Sequence, residues 1–246
     1  MKSFVLHGLI AVQSFNFLLL TQKHTVMKNI LIVIAGMLFL AGMSFENSFA
    51  QINETTIKQV GDLNEAEVEQ AGELNEAMIE QQSTANDALI RQDGFQNIAR
   101  MWQSGSNFGS ISQNGNNHFA DIWQNGVDSK AWVYQFGVDN TAEIEQDGDN
   151  NSATLKQEGE DNEATIRQYG TDLEAIIHQF GNNNFASILQ DFRDYVDSNG
   201  PFIFREAEII QFDNHNVATV EQYAPTENPI QIIQHGDGVP VHIVHH

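Results

Sequence analysis

The side chains with the greatest capacity for chemistry in this 246-residue chain are its 33 carboxylates and nine histidines. Carboxylates that converge in a cleft could cleave a polysaccharide. Here they are dispersed along the sequence, and the histidines show no ligand or catalytic-triad spacing, although adventitious metal binding at His242, His245 and His246 is an alternative. The chain contains no cysteine, so thiolate ligands, thiol nucleophiles and disulfides are excluded. The residues therefore predict no catalytic, cofactor-binding or metal-binding site, and no enzyme.

A unit of 11 residues dominates the sequence. From Gln157 to Gln168 it reads Gln-x-Gly-x-x-Asn-x-Ala-x-aliphatic-x-Gln, and 16 Gln-ended units run from Asn53 to Gln234. The position two residues before the final Gln is aliphatic in all 16 (Met101 included), Ala lies four before it in 13, and Asn six before it in 12. Such internal repeats are typical of one-dimensional arrays rather than of a single globular core.

The spacing within a unit predicts a β-strand. Its Asn, Ala, aliphatic residue and Gln are two residues apart, so they share one face of an extended chain, and the variable residues between them face solvent. The Gly-containing link between strands must form a tight arch. We therefore predict an all-β fold: a flat two-sheet β-solenoid of about 17 strands with a cross-β core. Each turn would contain about 22 residues in the order strand, arch, strand, arch.

Like residues should stack on like in successive turns. Stacked Asn and Gln amides can donate and accept along the stack, while Ala opposite Ile fills a thin core. The predicted core ladder includes Asn64, Ala66, Val68, Gln70, Asn151, Ala153, Leu155, Gln157, Asn162, Ala164, Ile166 and Gln168. The predicted arch glycines include Gly61, Gly72, Gly94, Gly137, Gly148, Gly159, Gly170 and Gly181.

The ends of such a solenoid would be open strand edges, which template pairing with another chain. A last unit without Gln, residues 239–245, makes the strand count odd and leaves half a turn that another copy could complete. The predicted polymerisation edges are Asn53, Thr55, Ile57 and Gln59 at one end, and Val239, Val241, Ile243 and His245 at the other. Head-to-tail pairing of these edges would give an open-ended homopolymer.

Charge and aromatic residues indicate possible partners. A net charge of −22 argues against nucleic acid and against anionic membrane surfaces. Acidic residues in the arches could repel chains that meet prematurely, or could simply be solvated. Outward aromatic residues predict an exposed aromatic patch that could bind polysaccharide, a protein partner or a neighbouring fibril, the alternative being cross-strand stacking for stability. This patch comprises Trp102, Trp123, Trp132 and Tyr134.

The sequence before the repeats predicts export. Residues 1–26 are interpreted as an upstream extension, and residues 27–50 as a signal peptide with a positive Lys28, an apolar run over 30–42 and a small-residue cleavage site at Ala50. The apolar run is short for a membrane anchor. Residues 51–246 form the repeat solenoid, with a loop inserted at about 191–204 that contains Gly-Pro.

The intact motif Gln-x-Gly-x-x-Asn-x-Ala-x-x-x-Gln resembles the curlin repeat of curli, the secreted amyloid fibres of bacterial biofilm matrix. Intact copies span 59–70, 70–81, 146–157 and 157–168. The resemblance implies a subunit that is exported through Sec, the periplasm and an outer-membrane pore with accessory proteins, and that polymerises on the cell surface from a nucleator curlin. The regularity of the repeats favours the major subunit. A minor nucleator and a monomeric carbohydrate-binding solenoid are the alternatives.

Overall fold

The computed structural model describes residues 30–33, 52–193, 205–226, 228–236, 238 and 240–246. All of their regular structure is β. The strands are β1 (Ile30–Val33), β2 (Glu54–Val60), β3 (Glu65–Glu73), β4 (Glu76–Ser83), β5 (Asp87–Phe95), β6 (Ile98–Asn116), β7 (Phe119–Val138), β8 (Thr141–Asp147), β9 (Ser152–Glu160), β10 (Glu163–Tyr169), β11 (Glu174–Phe180), β12 (Phe185–Asp191), β13 (Glu206–Gln211), β14 (Val217–Gln222), β15 (Ile230–Gln234) and β16 (Val241–His245). These residues include no helix long and apolar enough to cross a membrane.

The chain coils between two sheets. The first sheet has the order β2-β4-β6-β7-β8-β10-β12-β14-β16, and the second has the order β3-β5-β6-β7-β9-β11-β13-β15. Strands β6 and β7 run through an arch and contribute to both sheets: in β6, residues 98–105 pair with β4 and residues 108–116 with β5. The first sheet thus has nine strands and the second eight, which makes 17. The predicted all-β solenoid with about 22 residues per turn is confirmed.

The strands of the solenoid are parallel and in register. Ala164 pairs with Ala142 on one side and with Ala186 on the other, so each rung places like residues side by side. The register shifts between Ser106 and Phe108, at the arch that the sequence shows to be one residue short. Identical inward residues fix this register, because a slip by one residue would turn the whole apolar set to solvent.

The core lies between the two sheets as two facing rows of Ala and aliphatic side chains. Ala164 and Ile166 are both fully buried, and the continuous apolar cluster extends from Ile57 to Ile232, with Val241 and Ile243 packed against it. Burying one such Ile stabilises the fold by about 1.5–3 kcal/mol relative to leaving it exposed. Since every member of the cluster lies between residues 57 and 243, residues 51–246 retain the whole core.

One rung departs from the usual Ala and Ile. Met101 takes an aliphatic position and Gly109 an Ala position, and a Cβ added to Gly109 would lie 2.6 Å from Met101 Sδ and 3.1 Å from Gln103 Nε2. Met101 is only 1% exposed, so it has little room to move away. Because Gly109 has no methyl group, the longer side chain of Met101 fits into the core at this rung.

We expect Gly109→Ala to lower the free energy of unfolding by about 1–3 kcal/mol, because the added methyl group overpacks the core. The double variant Met101→Ile with Gly109→Ala restores the usual rung and should recover most of that loss. Guanidinium unfolding of the soluble monomer measures both effects. A double variant no more stable than Gly109→Ala alone would contradict the packing explanation.

The N-terminal edge differs from the prediction. Strand β1, within the predicted signal peptide, pairs antiparallel with β2, from Ile30 opposite Gln59 to Val33 opposite Thr56. The prediction of an open edge in the first strand does not hold for the uncleaved chain, because the unpaired backbone groups of an edge strand bind any extended segment nearby. On the second sheet, β5 is the one partner of β3 among the described residues.

Several predicted segments lie partly or wholly outside the described residues: the 1–26 extension, most of the 27–50 signal peptide, Val239, and residues 194–204 of the insertion. The start of the insertion is described. Phe192 is 6% exposed and lies beside Gly170, so it continues the stack of arches, and its N–H donates to Tyr169 O at 2.7 Å. The chain resumes the regular repeat at Arg205, whose carbonyl accepts from the Glu174 N–H.

Candidate functional site

The first feature of the site is a pair of glutamine columns, one on each sheet, formed by the Gln that ends each strand. In every step the side-chain Nε2 donates to the Oε1 of the next Gln toward the C-terminus, at 2.7–3.0 Å. The second N–H group reaches the backbone of the opposite sheet, as from Gln157 to Thr141 O at 2.9 Å. The columns therefore link turn to turn and sheet to sheet, and they have a single polarity.

The asparagines hold the arches. Asn162 Nδ2 donates to Gly181 O at 2.7 Å and to Asn140 Oδ1 at 3.0 Å, while its own backbone N–H donates to that same Oδ1 at 3.0 Å. Its side chain thus satisfies an arch carbonyl that no backbone N–H reaches through the strand ladder. At the arch itself, a Cβ on Gly159 would lie 1.9 Å from Gly181 O, and its φ of 127° also favours glycine.

The structure places most of the predicted ladder residues in the buried interior. Asn64 and Gln70 are half-buried because their strand, β3, is the last of its sheet. The other ten predicted ladder residues are buried: Ala66, Val68, Asn151, Ala153, Leu155, Gln157, Asn162, Ala164, Ile166 and Gln168. All eight predicted arch glycines have a positive φ, between 90° and 137°.

Sequence reasoning missed the residue just before most of the Asn positions. It adopts a left-handed conformation, with φ of 55° at Asp161 and 57° at Asp172. Asp and Asn tolerate this conformation better than other residues with a Cβ. Arch acids such as Asp161 therefore have a conformational reason to be present, beyond their charge. The signal in the sequence was that Asp or Asn recurs at this position in the central repeats, whereas Leu63 and Leu74 occupy it near the N-terminus.

His118 replaces Asn in one rung and preserves its hydrogen bonds. It is 1% exposed, its Nδ1 lies 3.3 Å from the Asn140 N–H, and its Nε2 lies 3.3 Å from Asn114 O. The Asn140 N–H can only donate, so Nδ1 is the acceptor and Nε2 carries the proton. Burial lowers the pKa of His118, because the charged imidazolium would lose its hydration. Protonation would also place two donors face to face at Nδ1.

The free energy of unfolding should fall on acidification because of His118. Because the pKa of His118 is lower in the folded state, the stabilisation that neutral His118 contributes is complete above its unfolded pKa near 6.5. That stabilisation is lost as the pH falls through the folded pKa. His118→Asn restores the usual ladder residue, so it should reduce the loss of stability between pH 6.5 and pH 5. Parallel urea unfolding of both proteins across this range measures the difference, and identical pH profiles would contradict it.

The predicted aromatic patch is divided between two faces. Trp102 and Trp123 stack on the first sheet with ring centroids 5.0 Å apart, whereas Trp132 and Tyr134 lie on the second sheet. All four are half-buried. Trp132 also packs against Phe108 at 5.7 Å. The four residues therefore form two separate pairs rather than a single patch.

Two shallow grooves lie beside these aromatic residues. One, of about 500 Å³, is lined by Tyr134, Phe136, Lys156 and Glu158. The other, of about 290 Å³, includes Trp123 and charged residues of the neighbouring rungs. Within the described part of the chain, no three His, Asp or Glu side chains are placed to hold a metal ion.

The outer charges also stack along the axis. Lys58 pairs with Glu80 at 2.7 Å and Arg91 with Glu69 at 2.9 Å, each one turn apart. Elsewhere like charges are neighbours: burial and the adjacent Glu65 raise the pKa of Asp87. Exposed ion pairs of this kind contribute little to stability. The core and the backbone ladder therefore supply the cohesion, and the acidic faces disfavour sideways contact between copies.

The ends of the solenoid present complementary backbone groups. The Glu54 and Glu65 N–H groups donate forward to the next turn, to Asn75 O and Asn86 O, at 2.8 Å. Because successive residues of a strand point to opposite edges, the inward residues of β2 and β3 direct their N–H and C=O groups backward. By the same alternation, the outward residues of β15 and β16 direct theirs forward. Within the described part of the chain, β15 and β16 each pair with one strand, β13 and β14.

The last rung of the first sheet is imperfect. Gln222 is fully buried, and its Nε2 has no hydrogen-bond partner within the described residues. The next rung supplies His245 where the column elsewhere has Gln. Of the predicted C-terminal edge residues, Val241, Ile243 and His245 are half-buried, as is usual for a strand with one neighbour.

These features define a class: a structural β-solenoid built of one repeated rung, in which β3, β15 and β16 each pair with a single strand among the described residues. The curlin associated repeat matches residues 53–82, 106–137, 126–159, 137–170 and 159–191. The chain therefore belongs to the proteins that carry curlin repeats, and these repeats support a fibre-forming structural protein. No curated protein sequence gives a significant match to the chain.

Proposed function

We propose that this chain is the major structural subunit of a secreted curli-type amyloid fibre and that copies add head to tail. The proposal rests on the C-terminal end, where β15 and β16 direct backbone groups forward and each has a single strand partner among the described residues. The apolar core continues in register up to that edge. A further copy placed there would extend both sheets, the apolar core and the glutamine columns together.

The regularity of the interior supports the role of major subunit. Most rungs bury an Ala and an aliphatic residue and close the same amide bonds, and the terminal strands keep apolar residues at these positions, so an added copy meets a surface similar to the one it leaves. Such edge-to-edge addition is a hazard in most proteins, whereas in a fibre subunit it is the assembly reaction. The interface is heterologous, so growth is open-ended.

The same proposal includes export and partners. Cleavage of the signal peptide after Ala50 would remove β1 and expose β2, so the N-terminal edge would become available for pairing only once the leader is gone. Secretion through an outer-membrane pore, nucleation by a minor curlin, and roles in biofilm matrix and adhesion follow from the family resemblance. Assembly would then take place outside the cell.

The deciding experiment is electron microscopy with fibre diffraction on purified residues 51–246 after removal of denaturant. We expect unbranched filaments with a meridional spacing of about 4.7–4.8 Å. Addition of preformed filaments should abolish the lag phase if the chain is the major subunit. A monomer that stays soluble at high concentration, even with such seeds, would contradict the proposal.

A carbohydrate-binding solenoid is the second candidate function, favoured by the groove that Tyr134, Phe136, Lys156 and Glu158 line. Aromatic side chains beside polar groups suit the apolar faces and hydroxyl groups of sugars. Titration of a soluble monomer with neutral oligosaccharides would test this function, with Tyr134→Ala as the control. Saturable binding by a protein that forms no filaments would support it over the fibre.

A further inference from the structure

We propose that successive copies in the filament are related by a half-turn about the filament axis. The first strand of each copy would then lie on the second sheet of the copy before it. This inference rests on the proposed head-to-tail assembly and adds the geometry of its joint.

The half-turn follows from the strand count. Strands alternate between the two sheets along the chain, and the solenoid both begins and ends on the first sheet, with β2 and β16. The next position in the coil therefore belongs to the second sheet, beside β15. A new copy reaches that position in the correct strand direction only if it is rotated by 180°, because the strands of the two sheets run in opposite directions around the coil.

The two sheets are chemically equivalent on their inward faces, so the rotation costs no contacts. Both have Ala, an aliphatic residue and Gln at the same three inward positions, and both carry a glutamine column of the same polarity. A strand from one sheet can therefore be replaced by a strand from the other without loss of register. Each 22-residue turn thus contains two equivalent 11-residue units, one in each sheet, that a half-turn about the axis interchanges.

The side chains at the joint favour the rotated arrangement on the second sheet. With β2 of the next copy beside β15, Ile57 would stack on Ile232 and Gln59 on Gln234. The bond from Gln211 to Gln234 is 2.8 Å, and the column would continue across the joint with the same donor direction.

On the first sheet, β3 of the next copy would lie beside β16. Val68 would then stack on Ile243, and the acidic Glu67 would lie next to His242 on the outer face. Both sheets would be continuous through the joint.

An unrotated copy fits worse. Its β2 would lie on β16, where Gln59 would meet His245 just as Gln70 does in the rotated joint, so the difference between the two joints lies on the second sheet. Its β3 would then be separated from β15 by an empty position, which doubles the strand spacing there from about 4.8 Å to about 10 Å. The inward apolar residues of β15, Ile230 and Ile232, would be left with water on one side. That gap would recur in every copy along the filament.

The arrangement has a visible consequence. One copy would advance the filament by about 41 Å, and the same face would recur only after two copies, at about 82 Å. The stacked pair of Trp102 and Trp123 would therefore alternate between opposite sides of the filament.

Cysteine cross-linking can distinguish the two joints, because the chain contains no native cysteine. Strand neighbours at about 4.8 Å satisfy the Cα separation of a disulfide, about 4.4–6.8 Å. The pair Ile233→Cys with Lys58→Cys is adjacent only in the rotated joint, whereas Val244→Cys with Lys58→Cys is adjacent only in the unrotated one. All three residues are outward and exposed, so the core is untouched.

Filaments of residues 51–246 carrying each pair are oxidised, dissolved in denaturant and run on a non-reducing gel. We expect a ladder of covalent multimers from Ile233→Cys with Lys58→Cys, and monomers from Val244→Cys with Lys58→Cys. A third pair, Val244→Cys with Glu69→Cys, should also give the ladder, which shows that the thiol introduced at position 244 reacts when its neighbour is present. Each single-cysteine variant should give nothing larger than a dimer.

Three results would each overturn the half-turn: the reverse pattern, equal cross-linking of both Lys58 pairs, or no cross-linking in well-formed filaments. None of them would contradict filament formation itself. If a cysteine pair prevents filaments, Gln231→Cys with Thr56→Cys replaces the rotated pair and His242→Cys with Thr56→Cys replaces the unrotated one. Failure of the unmodified chain to form filaments would instead refute the proposed function.

Discussion

Filaments of residues 51–246 should grow about 100-fold more slowly when proline replaces both Ile57 and Ala66. These inward residues of β2 and β3 direct their N–H groups to the backward edge, where an incoming copy must pair. Each proline removes a donor and so leaves a carbonyl of the approaching strand unsatisfied, at a cost of about 1–3 kcal/mol. A total of about 3 kcal/mol is equivalent to roughly 100-fold. The forward bonds, such as Glu54 N–H to Asn75 O, are made by other residues and should survive.

The matched control for the proline variant is Ile57→Ala with Ala66→Gly. It removes more inward side chain from both strands than the proline variant does, but it keeps both N–H groups. Thioflavin fluorescence and filament length distributions, measured with preformed wild-type seeds, report elongation directly. Equal slowing by the proline variant and by its control would show that lost core packing, rather than the blocked edge, limits growth, and normal growth of the proline variant would refute the role of this edge.

The sequence predicted the architecture well because each rung repeats the same inward residues. Period-two spacing in residues 162–168 defines a strand face, and the 11-residue recurrence defines where each strand stacks, so register needs no long-range information. The strand count of 17 could be predicted for the same reason, since even the atypical last strand, β16, keeps apolar residues at positions 241 and 243.

The features that could not be predicted depend on contacts between different units. The protonation state of His118 depends on the Asn140 N–H one turn away, and the space at Gly109 depends on Met101 across the core. The pairing of β1 with β2 joins segments with no shared motif. The left-handed residue before most of the Asn positions, such as Asp161, was missed for another reason: its acidic character was interpreted as charge alone.

Gln157→Leu should lower the free energy of unfolding by about 3–5 kcal/mol, the largest loss we expect from a single substitution. Gln157 is fully buried, accepts from Gln135 and donates to Gln179, each at 3.0 Å. It also donates to two backbone carbonyls, of Thr141 and Asn162. Leucine has a similar volume but leaves Gln179 Oε1 without its donor and one N–H of Gln135 without its acceptor, and each buried unsatisfied group costs about 1–3 kcal/mol.

Two further variants decide whether the column or general packing is responsible. Thr154→Val changes an outward residue of the same strand and should alter stability by no more than about 0.5 kcal/mol. Gln234→Leu, at the end of the same column, should cost less than Gln157→Leu because the column has no further Gln beyond it within one copy. Guanidinium unfolding of freshly desalted monomer gives all three values. If Gln157→Leu lowered the free energy of unfolding no more than Thr154→Val, the glutamine columns would contribute nothing to stability, and the apolar core and backbone ladder alone would hold the solenoid together. The continuity of the columns across the joint would then contribute nothing to filament growth.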